Sequence, residues 1–137
     1  MAKNHVDSRL SGQPGRFLLH ARDQHLVVDA SVGRGGLAQA WQAAELLLGA
    51  LQTCSHAVID DEARQLGLNG YSLHIEADCE NDEERPGHYR YISLDYHFEG
   101  ISQEQAQELV ARFQAVCPIY GSLTRGAPVS VRVFSTR

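Results

Sequence analysis

A mixed α+β fold with the element order ββ-α-ββ-α-α-β is what this sequence predicts. Three observations carry it. Alternating segments pair up at 16–29 and again at 71–98. One long apolar helical run is centred on Ala43–Leu51, and a second helical period opens at Ser102. At 137 residues, with 43% hydrophobic and 21% charged residues, the chain suits one folded domain able to bury a core.

The stretch to Gly15 is polar and broken by Gly12, Pro14 and Gly15, which predicts a flexible arm over 1–15 ahead of a single domain over 16–137. Arg16–Arg22 and His25–Asp29 read as short strands joined at Asp23-Gln24, a hairpin. Ser31-Val32-Gly33-Arg34-Gly35-Gly36 is too glycine-rich for a strand or helix interior and forms a loop whose one large side chain is Arg34. A helix is expected from Ala38 to Leu66, stopped by Gly67. Its middle, Ala43–Leu51, is apolar all round except at Glu45 and Gly49, so it is expected at the centre of the fold.

Tyr71–Cys79 puts Tyr71, Leu73, Ile75, Ala77 and Cys79 on one side; Tyr89–Phe98 puts Ile92, Leu94, Tyr96 and Phe98 inward. With the charged stretch 80–87 between them, they read as a hairpin of a half-solvated antiparallel sheet. Ser102-Gln103-Glu104-Gln105 has the form of a capping box, and Ala106, Leu109, Val110, Phe113 and Val116 then recur at helical spacing. Pro118 stops that helix yet suits the first turn of another, leaving Cys117 near its N-cap. A last strand is expected over Pro128–Phe134.

Composition narrows the function classes. A formal net charge of −5 argues against nucleic acid or an anionic membrane as the main partner. The longest apolar run is far short of a membrane span, and residues 1–7 lack the apolar stretch of a signal peptide, so a cytoplasmic location is expected. Three widely spaced cysteines do not form a secreted disulfide framework. The seven histidines are scattered, with no CxxC, HxxxH or HExxH spacing, and no metal is expected.

Two thiols remain to be explained. Cys54 ends the apolar run Glu45-Leu46-Leu47-Leu48-Gly49-Ala50-Leu51-Gln52-Thr53-Cys54, where a cysteine usually packs as a small hydrophobe. Cys117 opens Cys117-Pro118-Ile119-Tyr120-Gly121-Ser122-Leu123, at a helix start whose amide N–H groups favour a thiolate. Packing and thiol redox chemistry are both open on these grounds.

The run Glu45–Cys54 resembles the "ELLLxALxxC" helix of the OsmC-like proteins, the osmotically inducible and organic hydroperoxide resistance family. Val116–Leu123 resembles that family's second segment, "CPV" followed by a small helix ending in Leu, and the element order matches over about 16–134. The resemblance implies the OsmC-like fold: antiparallel sheets packed on a long central helix in an intertwined homodimer with active sites at the subunit interface. It implies a thiol peroxidase for organic hydroperoxides, with Cys54 peroxidatic, Cys117 resolving and a lipoyl-type dithiol as reductant. It further implies an Arg and a Glu beside the reactive thiol. Arg34, twenty residues before Cys54, and Glu45, nine before it, hold the matching positions.

Chemistry sets conditions on that reading. A thiol among leucines is pushed above its usual pKa of about 8.5, so peroxide cleavage needs a cation to hold the thiolate. Arg34 suits this role because a guanidinium keeps its charge when buried. Glu45 can neutralise and orient that Arg. Nine helical residues put Glu45 about 13–14 Å along the axis from Cys54, so it is expected to act across a homodimer contact. No cofactor is required. The alternative is a non-catalytic homodimer of the same fold that binds a small apolar ligand between subunits, with Cys54 merely packed.

Overall fold

The computed structural model describes residues 3–126 and 129–136, with Val129 described by its backbone alone. It has a mixed α+β architecture of two small sheets and three α-helices. By its internal contacts the chain divides into two compact units, Met1–Leu47 and Leu48–Arg137. Among the described residues, no helix is long and apolar enough to cross a membrane.

The first unit is a four-stranded sheet in the order β1 (Asp7–Leu10), β2 (Arg16–Ala21), β3 (Gln24–Asp29) and β4 (Trp41–Gln42). β1 lies within the stretch expected to be a flexible arm. All its residues are exposed, so no apolar pattern marks it in the sequence; backbone pairing from Asp7↔His20 to Leu10↔Phe17 holds it instead. β2 and β3 form the expected hairpin, turning at Arg22-Asp23 with Arg22 at φ 58, because Gln24 pairs with Ala21. The glycine-rich loop carries one 3-10 turn, Val32–Arg34. Gly36 is required there: a Cβ on it would overlap the Ala30 carbonyl.

The long helix α1 runs from Ala43 to Gln65 and starts five residues later than expected. Ala38 sits at φ 54, which a right-handed helix cannot include, and Trp41-Gln42 instead pairs in parallel with Val28-Asp29. At its other end Gly67 adopts φ 70. The Leu68 amide donates to the Ala63 carbonyl at 2.8 Å and the Gly67 amide to Arg64 at 3.1 Å, the expected glycine stop. The burial of α1 is narrower than its sequence suggests. Leu51, Ser55, Ile59 and Ala63, spaced one turn apart, are buried, whereas Leu46, Leu47, Leu48 and Ala50 are only half-buried.

In the second unit, β5 (Ser72–Asn81), β6 (Tyr89–Glu99) and β7 (Val129–Thr136) form a sheet in sequence order. β5 and β6 are antiparallel and β6 and β7 parallel, the latter connected through α2 (Gln103–Val116) and α3 (Pro118–Leu123). Pro128, where the last strand is expected to open, lies outside the described residues. Ile75, Ile92, Leu94, Tyr96 and Phe98 are buried, as are Ala106, Leu109, Val110 and Phe113 of α2. Truncating a residue such as Phe113 in this core costs about 3–5 kcal/mol. The capping box is present: the Ser102 hydroxyl accepts the Gln105 amide at 3.1 Å, and the Gln105 side chain accepts the Ser102 amide at 3.0 Å. Val116, expected inward, is 60% exposed because α2 ends there and Cys117, at 3%, takes the inward place.

Candidate active site

Cys54 lies on α1 one position before the buried Ser55 and is half-buried. Cys117 sits at the junction of two helices. Its amide donates to the Phe113 carbonyl at 2.9 Å, closing α2, and its backbone is extended at φ −75, ψ 116. Pro118 cannot donate the next helical bond, so the chain turns and α3 begins. The Cys117 sulfur then accepts the Tyr120 amide at 3.4 Å, capping α3 with a thiol.

This junction brings two distant positions together. The Sγ atoms of Cys54 and Cys117 stand 2.6 Å apart across 63 residues of chain. A disulfide bond is about 2.0 Å long, so closure needs very little movement. The thiols differ in access, since Cys117 is only 3% exposed and Cys54 is half-buried.

The electrostatics of Cys54 favour the neutral form. Burial first, and then the hydrogen bond and charge of Cys117, push the Cys54 thiol up to about 12. Among the described residues, no arginine or lysine contributes to that shift. Left so, the thiol holds its proton at neutral pH.

Arg34 ends the 3-10 turn Val32–Arg34 and is exposed. Glu45 stands in the first turn of α1, where its carboxylate accepts the Gln42 amide at 2.8 Å. That bond satisfies an amide ahead of the helix and favours a negative charge at its N-terminus. Cys79 lies half-buried on the inner side of β5 beside Tyr89, its pKa raised chiefly by burial. Among the described residues, no three metal-ligating side chains gather in one place. A groove of about 590 Å³ lined by His56, Asp60, Arg64 and Tyr71 includes neither Cys54 nor Cys117.

Two buried hydroxyls near the sulfurs escaped the sequence reading. Ser55 Oγ donates to the Leu51 carbonyl at 2.7 Å and lies 2.6 Å from the hydroxyl of Tyr96, a residue with no exposed surface. Burial raises the pKa of Tyr96, the hydrogen bond with Ser55 offsets part of the rise, and the neighbouring Cys117, Tyr120 and Cys54 add to it. Tyr120 completes the surroundings: its hydroxyl accepts the Gln114 amide at 2.9 Å and its ring meets Phe113 edge-on at 5.4 Å. The sequence signal for Tyr96 was its inward place on an alternating strand, which does not show that its hydroxyl meets Ser55.

A family model described as OsmC-like protein matches residues 35–132 of the chain. No curated protein matches the sequence. Among solved structures, an OsmC-like protein from Mycoplasma pneumoniae superposes with a TM-score of 0.79 at 15% identity, covering 99% of each chain. A structure described as an organic hydroperoxide resistance protein OsmC, from Legionella pneumophila, gives 0.71 at 18% identity over 98% of each chain. An organic hydroperoxide resistance protein from Elizabethkingia anophelis gives 0.76 at 13% identity, over 98% of this chain and 97% of that one. At these identities the likeness is one of fold.

Proposed function

The chain belongs to the OsmC-like family, and from that premise we propose that it is a cysteine-based peroxidase reducing organic hydroperoxides. The observation that carries this reading is the 2.6 Å separation of the Cys54 and Cys117 sulfurs. A pair so placed can store two oxidising equivalents as a disulfide. The names of the Legionella pneumophila and Elizabethkingia anophelis structures support an organic hydroperoxide as the source of those equivalents.

The reaction runs in three balanced steps. The Cys54 thiolate attacks one oxygen of the hydroperoxide; the O–O bond breaks, an alkoxide leaves and takes up a proton, and Cys54 becomes a sulfenic acid. The Cys117 thiol attacks that sulfur, and water departs as the disulfide forms. An external dithiol of lipoyl type then reduces the disulfide by exchange and is itself oxidised to a disulfide. Access supports this division of roles, because a peroxide reaches half-buried Cys54 more readily than Cys117 at 3% exposure.

The first step needs a positive charge at Cys54, whose own surroundings hold it protonated. Arg34 is assigned that role, with Glu45 as its orienting partner across a homodimer contact. The half-buried face of α1 at Leu46, Leu47, Leu48 and Ala50 is the apolar surface that a second copy can cover.

The test is turnover. Reduced protein mixed with cumene hydroperoxide and a dithiol is expected to consume peroxide, and Cys54→Ser to abolish this. One equivalent of peroxide should remove two hydrogens from the intact mass, and Cys117→Ser should stall at a sulfenic acid trapped by dimedone. No loss of several alkyl hydroperoxides, with both thiols still reduced, would overturn the reading in favour of a ligand-binding homodimer.

A further inference from the structure

The geometry assigns Ser55 and Tyr96 as positioning residues for the thiol pair: their hydroxyl-to-hydroxyl bond sets the rotation of α1 that points Cys54 at Cys117. The assignment deepens the peroxidase reading and rests on it only for its biological purpose.

Donor order follows from chemistry. The Leu51 carbonyl can only accept, so the Ser55 proton is spent on it at 2.7 Å. In the 2.6 Å contact between Ser55 and Tyr96, the tyrosine must therefore donate. The chain runs from Tyr96 O–H to Ser55 Oγ–H to the Leu51 carbonyl, each bond strengthening the next in surroundings without water. Ser55 and Tyr96 both have no exposed surface, so water cannot replace either partner.

Position turns this bond into a constraint on the sulfurs. Ser55 follows Cys54 directly on α1, and Tyr96 stands on β6 between the buried Leu94 and Phe98. One residue of helix is about 100° of rotation, so fixing Ser55 toward β6 fixes the direction of Cys54 as well. Apolar packing alone does this less well. Leu51, Ile59 and Ala63 pack without directional bonds, whereas a buried hydroxyl pair has one satisfied arrangement. The other thiol is already fixed by its own amide bond to Phe113. Loosening α1 thus lowers the effective concentration of Cys54 at Cys117 without removing either thiol.

The reduction potential of the pair is the readout that a merely stabilising role would not move. Wild type, Ser55→Ala, Tyr96→Phe and the double variant are each equilibrated in glutathione buffers. There one glutathione disulfide is reduced to two thiols as Cys54 and Cys117 lose two hydrogens and join. Alkylation and intact mass give the oxidised fraction, with folding checked by circular dichroism. Each single variant is expected to lower the equilibrium constant for disulfide formation about tenfold, the scale of one buried hydrogen bond. The double variant should lower it little further. Leu109→Ala, which removes a buried α2 side chain, should lower thermal stability and leave that constant unchanged. Constants within about twofold of wild type in all three hydroxyl variants overturn the assignment, as does an equal fall in Leu109→Ala. Should Tyr96→Phe fail to fold, Ser55→Ala decides. No hydroperoxide is used, so a chain inert to peroxide would sink the peroxidase reading and leave this one standing.

Discussion

Asp29 is buried and Cys54 half-buried, and the chain treats them in opposite ways. Asp29 is 1% exposed, yet its carboxyl is held down at about 2, first by the hydrogen bond from Arg16 and then by amides of Gln39 and Ala40. Arg16 reaches it with two nitrogens, at 2.7 and 3.2 Å, and the two amides donate at 3.0 and 3.1 Å. Among the described residues Cys54 shares its hydrogen bond with a second thiol, and it is pushed up to about 12. Burial disfavours the charged form in both cases; donors reverse the outcome at one and are missing at the other. Among the described residues, no cation contributes to the shift at Cys54, whereas Asp29 has a guanidinium against it.

The largest expected effect tests whether Arg34 supplies that charge. Alkylation of Cys54 can be followed against pH in a chain carrying Cys117→Ser and Cys79→Ser, with and without Arg34→Ala. With Cys117 gone only burial still raises the thiol, and a guanidinium beside the thiolate should hold the inflection lower than in the same chain lacking Arg34. Arg34→Ala should then raise it, with a loss of about 100-fold in rate at neutral pH, as expected for a nearby opposite charge. Identical profiles would move the role to another cation. Arg34→Lys should keep part of the effect, since its charge survives but its fork of donors does not.

Next in size is removal of the satisfied anion. Asp29→Ala leaves the half-buried Arg16 without its carboxylate and two amides without an acceptor, and should lower Tm on the order of 10 °C. The pH dependence has a definite sign. The unfolded carboxyl takes up a proton near pH 3.8, and the folded one only near 2. The stabilisation is therefore complete above about pH 4 and is lost as pH falls toward 2. Asp29→Asn should flatten this acid limb in a series of thermal melts. Cys54 has the opposite sign. Its raised pKa means stability lost on the alkaline side, from near 9 upward, and Cys54→Ser should flatten that limb instead.

The local features of both regions were legible in the sequence, and the long-range ones were not. Glycine at 67, the serine and glutamine of the capping box, and the proline after Cys117 each act within a few residues, so their effect could be read directly. Alternation in β5 and β6 survived because one face is buried and the other wet. β1 left no pattern because its ladder uses only backbone groups. The helix start was misplaced because alanine at 38 reads as helical and only its φ of 54 shows otherwise. Arg16 with Asp29, and Ser55 with Tyr96, lie 13 and 41 residues apart, and nothing in either residue names its partner. Cys54 and Cys117 were matched across 63 residues only by resemblance to a family. The folded geometry adds their separation and the unequal access of the two sulfurs.

The smallest effect separates the geometry of the Arg16–Asp29 pair from its charge. In Arg16→Lys the ammonium remains positive but presents one donor group where the guanidinium presents a planar fork. One carboxylate oxygen loses its share of the bond, and the further donation from Arg16 to the Gln39 side chain at 3.0 Å is lost too. The amides of Gln39 and Ala40 stay, so the carboxyl keeps two of its donors and should remain below its usual range, although higher than about 2. The expected result is a Tm only about 2–4 °C lower, with the acid limb displaced toward neutral pH. A drop as large as that of Asp29→Ala would mean that the paired geometry, and not the charge, keeps Asp29 ionised. A point charge placed beside Cys54 would then be a poor substitute for a guanidinium, and Arg34→Lys should lose as much thiol reactivity as Arg34→Ala.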